Sequence, residues 1–216
     1  LGRGSTFGAL QGVALAESRG WAIRRRTMVI RSTFLENDEF GYSCYTIVLP
    51  AHPKLTAKLL EVERASGQKI AKIPAHITVK GTLYGISSLE EIIELIRTVA
   101  SRHQPFSLSV EGKELFDSEH SVILGFPVNA EIQALHDDLV TNIAPLGKPA
   151  YYDDPYRVHM SIVNEVEPEG VQIARDQIKQ IDFGAGLQLS AIELMARDGM
   201  ASGGVWKRLE RFELGG

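Results

Sequence analysis

Cysteine occurs once in the 216 residues, at Cys44, so the chain can form no internal disulfide and no zinc site built on several thiolates. A reducing compartment, the cytoplasm, is the matching expectation. No apolar run approaches the roughly 18–20 residues that a membrane-spanning helix needs. His-x-His and His-Glu-x-x-His are absent, and the histidines at 52, 103, 120 and 136 show no metal-ligand spacing. Gly-x-Ser-x-Gly and Gly-x-x-x-x-Gly-Lys-Ser/Thr are absent too, and Gly184-Ala185-Gly186 lacks the third glycine of a dinucleotide fingerprint. These gaps leave a metal centre, a serine-nucleophile elbow and a Walker-type phosphate loop without support. What remains is ordinary: 44% apolar and 23% charged residues suit one large domain or two small lobes.

Positive charge is scarce outside the leader. Residues 1–35 hold six arginines against Glu17, so a net charge of −4 leaves −9 on the rest. A body that acidic is ill suited to coating a long phosphate backbone, because such binding neutralises many phosphates at once. If it handles RNA, it should grip an end. Residues 1–40 lack a sustained period and carry Arg24-Arg25-Arg26. They read as a mobile N-terminal extension, with an organelle transit peptide or sequence upstream of a start at Met28 as alternatives.

From Gly41 a pattern emerges. Residues 45–49 read as a buried strand, 53–66 as a helix, 75–83 as a strand, 87–100 as a helix capped by serine, and 106–110 as a strand. The same order recurs as a strand at 121–128, a helix after Asn129, a strand at 157–163, a helix from Pro168 and a strand at 187–196, with a last strand at 208–214. The halves, about 43–117 and 118–214, suggest two similar lobes within a 41–216 domain, with exchange of strands between them open.

One residue pattern recurs with the elements. His76-Ile77-Thr78-Val79 and His159-Met160-Ser161-Ile162 occupy equivalent strands of the two halves. With 24 serines and threonines in 216 residues, six histidines meet one two places on about 0.7 times by chance. Requiring apolar residues at both other positions lowers this to roughly 0.1, and two instances at equivalent places lower it further. Side chains alternate across a strand, so each motif offers an imidazole beside a hydroxyl on one face and apolar groups to the core. By the same parity Lys80 and Arg157 border the cleft. Hydroxyls can donate to non-bridging phosphate oxygens while one imidazole takes a proton and the other gives one. Tyr151, Tyr152 and Tyr156 read either as base-stacking residues or as packing, and Phe116, in an expected turn between the halves, reads the same way.

These paired tetrapeptides on a duplicated strand-helix framework resemble the 2H phosphoesterase superfamily, which includes the 2′-5′ RNA ligase-like proteins. The resemblance spans about residues 43–214. It implies an α+β fold of two pseudo-symmetric lobes, each an antiparallel sheet with helices on its outer face, enclosing a central cleft. It also implies that His76 and His159 act as general acid and base, that Thr78 and Ser161 hold phosphate, and that neither metal nor cofactor takes part. The expected function is hydrolysis of a 2′,3′-cyclic phosphate at a nucleotide or RNA end by a monomer, with His76 taken as acid and His159 as base. The alternatives are a non-enzymatic module binding nucleotides or RNA ends, and 2′-5′ RNA ligation by the reverse reaction. Relatives act on RNA ends, ADP-ribose cyclic phosphate and 2′-5′ linked nucleotides, so the resemblance leaves the substrate open.

Overall fold

The computed structural model describes residues 37–69, 72–149, 155–184, 186–199 and 204–216. The leader arginines, Tyr151 and Tyr152 lie outside the described residues.

The apolar run Cys44–Pro50 forms β1, buried on both faces through Leu49. Helix α1, Pro53–Ala65, opens on a proline, whose missing N–H is no loss there, and His52 Nδ1 accepts the Lys54 N–H. Strand β2 is His76–Tyr84. Ser88 caps α2, Leu89–Arg102, by accepting the Glu91 N–H, and Glu90 and Glu91 suit the positive end of its dipole. Then follow β3 (Phe106–Ser109), β4 (Glu114–Asp117) and β5 (Ser121–Gly125). Asn129 caps α3, Ala130–Ile143. The chain continues through a 3-10 turn, Ala144–Leu146, β6 (Lys148–Pro149), β7 (His159–Asn164), α4 (Pro168–Ile178), β8 (Gly186–Leu189), β9 (Ala191–Arg197) and β10 (Trp206–Glu213).

All strand pairs among the described residues are antiparallel, in a five-stranded sheet β10-β9-β1-β2-β6, a three-stranded sheet β4-β5-β7 and the pair β3-β8. Helices α2 and α3 cover the five-stranded sheet, while α1 and α4 pack together and cover β5 and β7. The stripe Ile132, Leu135, Leu139 and Ile143 of α3 is fully buried, and each such side chain contributes about 1.5–3 kcal/mol. Elements of the halves therefore interleave. Strands β9 and β10, late in the chain, extend the sheet of β1 and β2, and α1, early in the chain, covers the sheet of β7. Each half completes the apolar face of the other.

Two local readings need correction, and one short strand has no counterpart in the sequence pattern. Phe116 lies in β4 and not in a turn. Two-residue β6 carries no periodic signal. The run 187–196 is two strands in different sheets: Leu187 and Leu189 alternate with exposed Gln188 and Ser190, whereas past Ser190 the residues from Ala191 to Ala196 are buried on both faces.

Candidate active site

Both motifs begin their strands. His76 opens β2 opposite Pro50 of β1, and His159 opens β7 opposite Gly125 of β5. Ile77, Val79, Met160 and Ile162 are buried, which leaves His76, Thr78, His159 and Ser161 half-buried on the opposite faces. The two imidazoles are held alike. His76 Nδ1 lies 2.9 Å from the Pro74 carbonyl, and His159 Nδ1 lies 2.8 Å from the Arg157 carbonyl. A carbonyl only accepts, so each Nδ1 carries the hydrogen and each Nε2 is the nitrogen left to exchange a proton.

Their strands meet along a seam. Among the described residues, strand β7 is an edge of its sheet, and β2 has only β6 on its outer side, paired at Leu83 and Tyr84 beyond the motif. Burial pushes the pKa of His76 down to about 4, and the charges of Lys72 and His159 push the same way against the Pro74 carbonyl. At neutral pH His76 is a neutral acceptor. Lys72, which no sequence motif marks, donates from Nζ to the Ser161 carbonyl at 2.8 Å and pairs with the buried Glu63 of α1 at 2.9 Å.

Beside His159 lies a cavity of about 330 Å³ lined by Phe116, Gly125, Tyr156, Arg157 and Glu114 among others. Phe116 lies against Gly125, and a Cβ built on that glycine would meet its ring carbon at 2.6 Å. Tyr156 is also at the cavity, but one face of its ring stacks on buried His136 at 3.9 Å and 5°, and its hydroxyl donates to the Thr78 carbonyl at 2.9 Å. His136 in turn bonds the Val79 carbonyl through Nδ1 at 2.7 Å. That face of Tyr156 is therefore closed to a base. Lys80 is 3% exposed, donates to the Gly81 carbonyl and does not line this cavity. Strand parity gives Lys80 the face of His76, and the surrounding sheet then buries it there.

Among the described residues no group of three or more His, Cys, Asp or Glu stands close enough to hold a metal ion, and no helix is long and apolar enough to cross a membrane. The missed residues Lys72, Glu63 and His136 act on backbone carbonyls or on one another, which leaves no motif to find.

A family model described as the 2′-5′ RNA ligase superfamily matches residues 50–201. No curated protein matches the chain. Among solved structures, the chain is similar to TT0787 of Thermus thermophilus, at 18% identity and a TM-score of 0.57 over 80% of this chain and 98% of that one. It is also similar to E. coli LigT complexed with 3′-AMP, at 12% identity and a TM-score of 0.52 over 79% and 96%. A phosphoesterase structure matches at 12% identity and a TM-score of 0.55 over 79% and 97%. These likenesses show a common fold.

Proposed function

The chain belongs to the 2′-5′ RNA ligase superfamily of 2H phosphoesterases, and from that premise we propose that it hydrolyses a 2′,3′-cyclic phosphate at a nucleotide or RNA end by two-histidine acid–base catalysis, without a metal. The observation that carries this reading is the matched pair of Nδ1–carbonyl bonds, which leaves one Nε2 on each side of the seam for proton transfer.

His76, held neutral, is the base: its Nε2 takes a proton from water as the water oxygen bonds to phosphorus. His159 is the acid: its Nε2–H passes to the sugar oxygen as the phosphorus–oxygen bond to that oxygen breaks. This reverses the roles assigned from sequence, because burial, and after it the charge of Lys72, disfavours a charged His76. Thr78 and Ser161 donate to the non-bridging oxygens. Arg157 offsets phosphate charge from the cavity wall, and Phe116 offers its ring to the base. That E. coli LigT crystallises with 3′-AMP, with phosphate and with ATP supports a nucleotide phosphate as the ligand class.

The test is a panel of the four nucleoside 2′,3′-cyclic phosphates, assayed with chelator present and the products separated by phosphate position. Turnover to a single monophosphate isomer is the expected result. Tight binding without turnover would assign the non-enzymatic reading instead.

A further inference from the structure

The two motifs are tied to each other by side chains that belong to neither. The Thr78 carbonyl, in the first motif, accepts the hydroxyl of Tyr156, three residues ahead of His159. The Ser161 carbonyl, in the second motif, accepts the ammonium of Lys72, four residues ahead of His76. In each case the segment leading into one motif reaches over the seam to the backbone of the hydroxyl residue in the other. The arrangement is reciprocal.

The physical need for it follows from the topology. An edge strand presents backbone groups that no strand satisfies, and a buried carbonyl without a donor is costly. Strands β7 and β2 meet at such edges, and among the described residues no ladder joins them. Both donors are themselves braced. Lys72 is pinned by Glu63, with only 13% and 10% of the two side chains exposed. Tyr156 is pinned by its stack on His136, which also holds the Val79 carbonyl.

We infer that Lys72 and Tyr156 are positioning residues that fix the separation of the two histidines, each by holding the opposite motif. The inference rests on the two-histidine reading of the site. Neither residue exchanges a proton with substrate. Tyr156 orients the segment whose Arg157 carbonyl holds His159, and Lys72 leads into the segment whose Pro74 carbonyl holds His76. Because the acid and base must act on one phosphorus from opposite sides, the distance between them governs the rate, and a misplacement near 1 Å can cost on the order of 10²-fold.

The experiment compares Tyr156→Phe, which keeps the ring and its stack, with Lys72→Met made together with Glu63→Gln, so that no buried carboxylate is left unpaired. Glu63→Gln alone is the control that retains the Lys72 bond to Ser161. Each variant is assayed on a nucleoside 2′,3′-cyclic phosphate, and the histidine Cε1–H signals are recorded by NMR. Both test variants should lower kcat by about 10-fold or more with KM changed less than about twofold, and Glu63→Gln, which removes the brace but keeps the Lys72 bond to Ser161, should lose less than the Lys72 variant. The signal of His76 should move in Tyr156→Phe, and that of His159 in the Lys72 variant. Unchanged kcat with unmoved opposite-motif signals would overturn the inference, as would a raised KM at constant kcat, which marks substrate contact. Wild-type protein that turns over no cyclic phosphate would fail the functional reading, while the NMR signals would still decide whether the ties couple the motifs.

Discussion

Gly125 stands directly opposite His159 across the β5–β7 pair, and the ring of Phe116 occupies the space its side chain would fill. Any Cβ there must displace the ring, since 2.6 Å is far inside contact distance. Gly125→Ala should therefore raise KM for nucleoside cyclic phosphates several-fold, while leaving kcat within about twofold, because the proposed contact of Phe116 with the base serves ground and transition states alike. Phe116→Ala should raise KM similarly, and the double variant should cost no more than the worse single one. Additive losses in steady-state kinetics would show that Phe116 and Gly125 act separately.

Stability should respond to pH through His76. Its folded pKa of about 4 lies below the ordinary histidine value of about 6.5, so between them the unfolded chain binds a proton that the folded one does not. Stability from this group is intact above about pH 6.5 and falls as pH drops toward 4. Denaturant midpoints of wild type and His76→Asn should diverge over that window, with the variant less acid-sensitive. Parallel curves would mean that His76 is not held neutral.

Chelation should leave activity unchanged. In the proposed chemistry hydroxyl donors at Thr78 and Ser161, the acid His159 and Arg157 answer the phosphate charge, so it has no electrostatic need for a divalent cation. Rates measured with EDTA and after addition of Mn²⁺ or Zn²⁺ should coincide. Activity lost to EDTA and restored by either ion would make the histidines ligands.

Binding of a longer RNA should depend weakly on salt. With the body at −9 and few cations at the site, roughly one to three phosphates are neutralised, and log K against log salt should be no steeper than about −2. The comparison is between a nucleoside 2′,3′-cyclic phosphate and an RNA with the same end, using the full chain and one lacking residues 1–40. A steep slope on RNA that disappears with the truncation would assign Arg24, Arg25 and Arg26 to substrate docking.

The order of helices and long strands was legible because each buries a periodic face: Ile132, Leu135, Leu139 and Ile143 mark α3, and Ile77 and Val79 mark β2. Both motifs were legible for the same reason, since strand parity separates His76 from Ile77. The exchange of elements was not, because the pairing of β1 with β9 and the packing of α1 beside α4 join residues far apart in the chain. Phe116 was misplaced because a four-residue strand with two exposed ends and two half-buried middle residues carries no alternation. Lys72 and Tyr156 were missed as a pair because a side chain that binds a carbonyl places no demand on the identity of its partner.

The central claim is that two imidazoles, one on each motif strand, divide the proton transfers between them. Its most direct test is kcat for His76→Ala and His159→Ala on the best nucleoside 2′,3′-cyclic phosphate, with circular dichroism to verify the fold. The account predicts a loss of about 10²–10⁴-fold in each variant. It also predicts a bell-shaped kcat/KM profile in wild type, with apparent pKa values belonging to the coupled pair. Near-normal turnover in either folded variant would contradict it.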